Sequence, residues 1–177
     1  MKVTNKISLG RLAGMDLSAK PSALAGSLLL WLVLSAVGVM LLKLQLPEAI
    51  LMGLAGVILH WVAVLLHQLG HGFAARQTGY AMVGISLWWV LSSSLYPSNE
   101  PALPKSVHAQ RALGGPIASV LLGVLFALAL LFIEAGSPAW WLALFFCVEN
   151  LLVFGLGAFL PLSFTDGSTL LSLYRDK

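Results

Sequence analysis

Four long apolar runs separated by short polar joints leave this chain few ways to fold. They cover residues 23–42, 49–75, 111–133 and 139–160. Each is close to the ~20 residues that carry a helix across a ~30 Å hydrocarbon core. Lipid offers backbone groups no water to bond, so only helices or closed barrels can cross it. The runs therefore predict an all-α polytopic membrane protein with about four transmembrane helices, embedded in a lipid bilayer as a single domain over residues 1–177. Only 10% of the 177 residues are charged, against ~25% in an ordinary soluble domain, so no separate soluble domain is expected.

The joints are short. Lys43 closes the first run and Pro47 lies in the turn to the second, which ends at Arg76. The third ends near Glu134, and Gly136, Ser137 and Pro138 form the next turn. Pro161 should stop the fourth, since a proline cannot continue a helix. The first twenty-one residues are mixed polar and basic, and the run after them is too long for a signal-peptide core, which predicts a retained helix. Cys147 is the one cysteine, so no intramolecular disulfide can form. The net charge of +3 is too small and too confined to the joints to suggest nucleic acid. Basic residues collect on the cytoplasmic side. Lys2, Lys6, Arg11, Lys20, Arg76, Lys105, Arg111, Arg175 and Lys177 all lie inside if both termini are cytoplasmic, leaving Lys43 alone outside. That orientation fits a plasma or inner membrane, with Trp140 and Trp141 in the outer interfacial belt.

Residues 77–105 differ. They are rich in Gly, Ser, Pro and aromatics, and Val83, Ile85, Leu87 and Trp89 alternate with Gly84, Ser86 and Trp88 as in a strand. An open strand edge cannot face lipid. A short β-hairpin or re-entrant insert, packed on protein near the interface, is the expectation.

The chemistry concentrates in His67-Gln68-Leu69-Gly70-His71. Residues four apart share a helix face, so both imidazoles can reach one ion, and imidazole suits zinc. The alternative is two polar residues satisfied by neighbouring helices, although ionisable groups at membrane depth are functional candidates by default. A catalytic zinc needs a third protein ligand and a water. Of the acidic residues, Asp16, Glu48, Glu100, Glu134 and Asp176 read as loop, interface or terminal charges, which leaves Glu149 and Asp166. Asp166 follows the helix-ending Pro161, where irregular backbone could return it to the second helix; an Asp-Gly turn is the plainer reading. Glu149 has another partner in view. His60 lies ~18 Å along the second helix from Glu48, and Glu149 ~15 Å along the fourth from residue 139. Both helices start from the same face, so the two meet at similar depth and predict a buried structural pair; a neutral Glu149 bonded to backbone or Asn150 is the alternative.

From the second helix onward the chain resembles the site-2 protease family of intramembrane zinc metalloproteases. That family carries His-Glu-x-x-His on a membrane helix, matched by His67 to His71 except at Gln68. It has a Gly-Pro motif opening a later helix, similar to Gly115-Pro116 followed by Ser119. It has a proline-rich stretch ending in Leu-Asp-Gly, similar to the segment from Pro161 to Gly167 with Thr165 in place of Leu. Residues 79–104, with Glu100-Pro101 and Pro104, resemble its strand-and-loop insert. Ala158 departs from an Asn often found there, and Ser163 and Phe164 replace prolines.

The resemblance implies one Zn²⁺ per chain on His67, His71 and Asp166, and hydrolysis of a peptide bond in or near the transmembrane helix of a protein or peptide substrate. It implies substrate contacts from Gly115, Pro116, Ser86 and Trp88, with the backbone between Tyr80 and Tyr96 able to take an unwound segment as an added strand. At position 68 the family has the general-base Glu. A glutamine has nearly its size and cannot take a proton, so the chain as written is expected to be inactive. An engineered Glu-to-Gln change is the favoured explanation, because the remaining site is intact. A natural pseudoprotease that binds membrane segments without cutting them is the other. A metal-ion transporter, the third reading, would need a polar path that the first and third spans scarcely offer.

Overall fold

The computed structural model describes residues 6–162 and 165–175; Lys2, Ser163, Phe164, Asp176 and Lys177 lie outside them. The chain opens with a β-hairpin, β1 (Ile7–Leu12) and β2 (Met15–Ala19), followed by α1 (Pro21–Met40) and α2 (Leu46–Gln77). A second hairpin, β3 (Gly84–Trp88) and β4 (Leu91–Leu95), precedes α3 (Lys105–Ala129). The fourth span begins as α4 (Pro138–Val148), widens into a π-helical segment over Glu149–Leu156 and ends in a tight turn at Gly157–Phe159. A short α5 (Asp166–Arg175) closes the described chain.

Four helices are long and apolar enough to cross a membrane: Pro21–Met40, Leu46–Gln77, Lys105–Phe132 and Pro138–Phe159. Their exposed faces carry large apolar side chains, among them Leu24, Leu32, Leu51, Leu121, Leu125 and Phe132. In water such surfaces would be an aggregation hazard; in lipid they are the solvated ones. The chain is a polytopic membrane protein with a small mixed sheet.

Prolines set several ends. Pro21, Pro47 and Pro138 sit in the first turns of their helices, where a missing N–H costs nothing. Pro47 therefore starts α2 rather than lying in the preceding turn. Leu160 is extended at φ −62°, ψ 141°, the conformation a following proline demands, and the fourth span stops there. The third span starts at Lys105, six residues ahead of the expected Arg111, because Arg111 is buried and neutralised inside the helix. Pro116 consequently lies within α3 rather than opening it.

α2 packs on both α1 and α3. At the α2–α3 crossing, a Cβ on Gly70 would lie 2.4 Å from the Gly114 carbonyl oxygen, and one on Gly114 2.5 Å from that of Gly70. Small residues permit this close backbone approach in membranes.

The sheet runs β1-β2-β3-β4, with β2 parallel to β3 and both hairpins antiparallel. Residues 7–19 thus belong to the sheet: β2 makes β3 an interior strand, with Leu17 paired to Ile85 and Ser18 to Ser86. One face of the sheet buries Met15, Ile85 and Leu87 with Ala23, Val64, Ala75 and Met82. This core fixes the hairpins to α1 and α2. It leaves β4, the last strand, beside the middle of α2.

Candidate metal centre

His67 and His71 stand one turn apart on α2, both buried. Their Nε2 atoms are 3.0 Å apart. Asp166, the first residue of α5, returns to them from beyond the fourth span. Its Oδ2 lies 3.6 Å from His67 Nε2 and its Oδ1 3.4 Å from His71 Nε2. Among the described residues these three form the group whose ligand atoms converge.

The opposite ring nitrogens are occupied. His71 Nδ1 donates to the Arg111 carbonyl at 2.8 Å, and His67 Nδ1 lies 3.0 Å from Ser119 Oγ. With Nδ1 protonated on both rings, two Nε2 lone pairs and a carboxylate point at one another. That arrangement is repulsive until a cation enters it. Four-coordinate zinc with bonds of ~2.0–2.1 Å places its ligands ~3.3–3.4 Å apart, and the observed 3.0–3.6 Å spacings bracket that value. The donor set therefore fits zinc. The Nδ1 partners supply the outer contacts that orient metal-binding imidazoles.

Gly115 explains how α3 comes so near. A Cβ there would stand 2.3 Å from His71 Nε2 and 2.6 Å from His67 Nε2, so only a glycine lets the helix lie against both rings. Pro116 is buried beside it, and the proline removes the amide that would have bonded the Ala112 carbonyl.

A cavity of about 760 Å³ opens over the three ligands. One wall is apolar, from Leu152, Val153 and Phe154 of the π-helical segment; the other is polar, from Leu91 to Ser94 of β4 with Tyr96, Glu100 and Arg111. Gln68 lines it too. Its Nε2 donates to Ser92 Oγ at 2.8 Å, and Ser94 Oγ donates to its Oε1 at 2.7 Å. Ser92 and Ser94 were invisible as partners in the sequence: only their i, i+2 spacing, which puts both on one strand face, hinted at a shared contact.

Arg111 anchors the mouth of the cavity. It pairs with both carboxylate oxygens of Glu100, at 2.5 and 3.0 Å, donates to the Tyr80 carbonyl, and stacks on Tyr96 with 4.1 Å to the ring centre. The guanidinium beside Glu100 keeps that carboxyl below its usual range, whereas burial raises the Tyr96 hydroxyl.

Gly115, Pro116, Ser86 and Trp88 are not among the residues that line the cavity. The first two lie beneath the histidines. Ser86 and Trp88 are in β3, whose ladder is filled by β2 and β4; Trp88 Nε1 donates to Ser93 Oγ. The strand edge at the cavity belongs to β4. His60 and Glu149 are a contact of their own, Nδ1 to Oε1 at 2.5 Å, both buried.

No protein-family model matches the sequence, and no curated protein matches it. Among solved structures, the fold is similar to that of the site-2 protease from Methanocaldococcus jannaschii, with a TM-score of 0.66 and 19% sequence identity over 96% of this chain and 71% of that one. At that identity the likeness is one of fold.

Proposed function

We propose that this chain is an intramembrane zinc metalloprotease of the site-2 type, held inactive by glutamine at the general-base position. The observation that carries the reading is the convergence of His67, His71 and Asp166 ligand atoms within a membrane bundle of that fold, each imidazole oriented from behind. His67, His71 and Asp166 would hold the metal. When bound, zinc polarises a scissile carbonyl and lowers the pKa of its water towards ~7.

The chain's own residues do the rest. The Arg111 carbonyl keeps the His71 imidazole in one tautomer, and Ser119 holds the His67 ring in place. A glutamate at position 68 would take a proton and pass it to the leaving amine; the Gln68 amide does neither. The apolar wall from Leu152 to Phe154 suits the side chains of a transmembrane substrate, and the β4 edge suits its unwound backbone. A helical substrate must unwind, because its carbonyls are already bonded. We place both termini in the cytoplasm, from the basic residues.

The test is Gln68→Glu. It should turn on cleavage of a helical membrane substrate in detergent or lipid by ~10²–10⁴-fold, with unchanged zinc content and full loss to a chelator. A zinc-loaded, folded Gln68→Glu protein that cuts none of a broad panel of membrane segments would contradict it. One observation favours the second reading, a natural pseudoprotease that binds membrane segments: the Gln68 amide has a partner for both of its ends in Ser94 and Ser92.

A further inference from the structure

His60 and Glu149 take no part in the metal centre, yet they form the tightest buried polar contact between α2 and the fourth span. His60 uses both ring nitrogens. Nε2 lies 3.0 Å from the Val90 carbonyl oxygen, which can only accept, so Nε2 carries a proton. Nδ1 lies 2.5 Å from Glu149 Oε1, so the ring bridges the turn and the fourth span, and each ionisable group has a partner within the membrane.

Val90 belongs to the two-residue turn between β3 and β4. Its partner in the turn, Trp89, has φ +49°, a left-handed conformation that is uncommon for a large side chain and persists only where surroundings enforce it. On the other side, the Trp89 backbone lies on Gly26 of α1 so closely that a Cβ there would be 2.3 Å from the Trp89 carbonyl carbon. The turn is therefore gripped between Gly26 and His60. Two and four residues beyond Val90 come Ser92 and Ser94, the serines that hold Gln68.

We propose that the His60–Glu149 pair is a positioning device that pins the β3–β4 turn and so sets the height of β4 against the metal cavity. Glu149 starts the π-helical segment, and Phe154 of that segment packs on both His60 and His67, with ring centres 6.0 and 5.5 Å away. The same pair thereby ties together the two walls between which a substrate would lie. The proposal rests on the protease reading only in what β4 is held for.

Removing one partner alone would strand the other in the membrane, so two variants are compared. Glu149→Gln keeps a donor facing Nδ1 and should preserve the clamp. The double variant His60→Leu/Glu149→Leu removes it with apolar groups. Hydrogen exchange of the folded protein in lipid nanodiscs should show residues 84–95 exchanging about tenfold faster in the double variant, the ratio expected from one buried hydrogen bond to the turn. Glu149→Gln and the α1 peptides should match the parent. In the Gln68→Glu background the double variant should raise KM for a membrane substrate at unchanged zinc content, with Glu149→Gln close to the parent. Parent-like exchange of residues 84–95 in the double variant would overturn the proposal, and so would equal acceleration of every peptide. If Gln68→Glu cuts nothing, the protease reading fails while the exchange result still decides the clamp.

Discussion

Gly115→Ala is the smallest change that should disable the metal centre. The added Cβ would meet His71 Nε2 at 2.3 Å and His67 Nε2 at 2.6 Å. Ordinary carbon contacts begin near ~3.5 Å, so the imidazoles and α3 must separate by about 1 Å. Metal sites hold their ligand distances to about ±0.2 Å. A shift several times that tolerance breaks the convergence of the two rings on Asp166. It also draws His71 off the Arg111 carbonyl and His67 off Ser119. Losing a single such outer contact typically costs ~10–100-fold in affinity, so zinc affinity should fall by at least about 100-fold. Competition against a chelating dye in detergent at neutral pH measures it, with helicity and a monodisperse elution profile showing that the bundle survives. Affinity within about threefold of the parent would refute the packing argument, because the rings would then have a freedom that the structure denies them.

Ser119→Ala removes the hydroxyl behind His67 and should weaken zinc by about tenfold, whereas Asp166→Ala removes a ligand and should empty the site at micromolar zinc; metal analysis of purified protein reads both. The Arg111–Glu100 pair should matter for thermal stability at neutral pH and cease to matter in acid. Hydrogen bonding to Arg111 holds the Glu100 carboxyl below the ordinary glutamate value, so the stabilisation is present above that ordinary value and is lost as pH falls through the lower folded one. Melting curves of Glu100→Gln and the parent should converge there. For orientation, a cysteine at Ser137 should label from outside intact cells and one at Ser106 should not.

The four spans were legible because each apolar run is long enough to cross lipid and little else in the chain competes with it. Their ends were less so. Arg111 read as the start of the third span and Lys105 as part of the preceding joint, and only the structure shows Arg111 inside the helix, paired with Glu100 and stacked on Tyr96. The β1–β2 hairpin was not legible because its strands are only six and five residues long and the alternation in the first breaks at a register shift between Ser8 and Gly10. Its parallel pairing with β3 spans two intervening helices, and no local pattern records such a contact. The π-helical widening at Glu149–Leu156 leaves no mark in an apolar run either. At the site, i, i+4 spacing brings His67 and His71 together, and the resemblance points to Asp166. Depth counting along two helices that start from one face was enough to bring His60 to Glu149. The partners lying across elements, Ser92 and Ser94 on Gln68 and the Val90 carbonyl on His60, depend on the height of β4, which the sheet sets.

X-ray absorption at the zinc edge of the purified membrane protein tests the central claim most directly. One zinc per chain is expected, with two imidazole nitrogens and carboxylate or water oxygens, all at ~2.0–2.1 Å, and loss of one imidazole in His71→Ala loaded at a zinc concentration high enough to offset its weaker binding. A chain that takes up no zinc, or zinc whose imidazole count is the same in His71→Ala as in the parent, would contradict it.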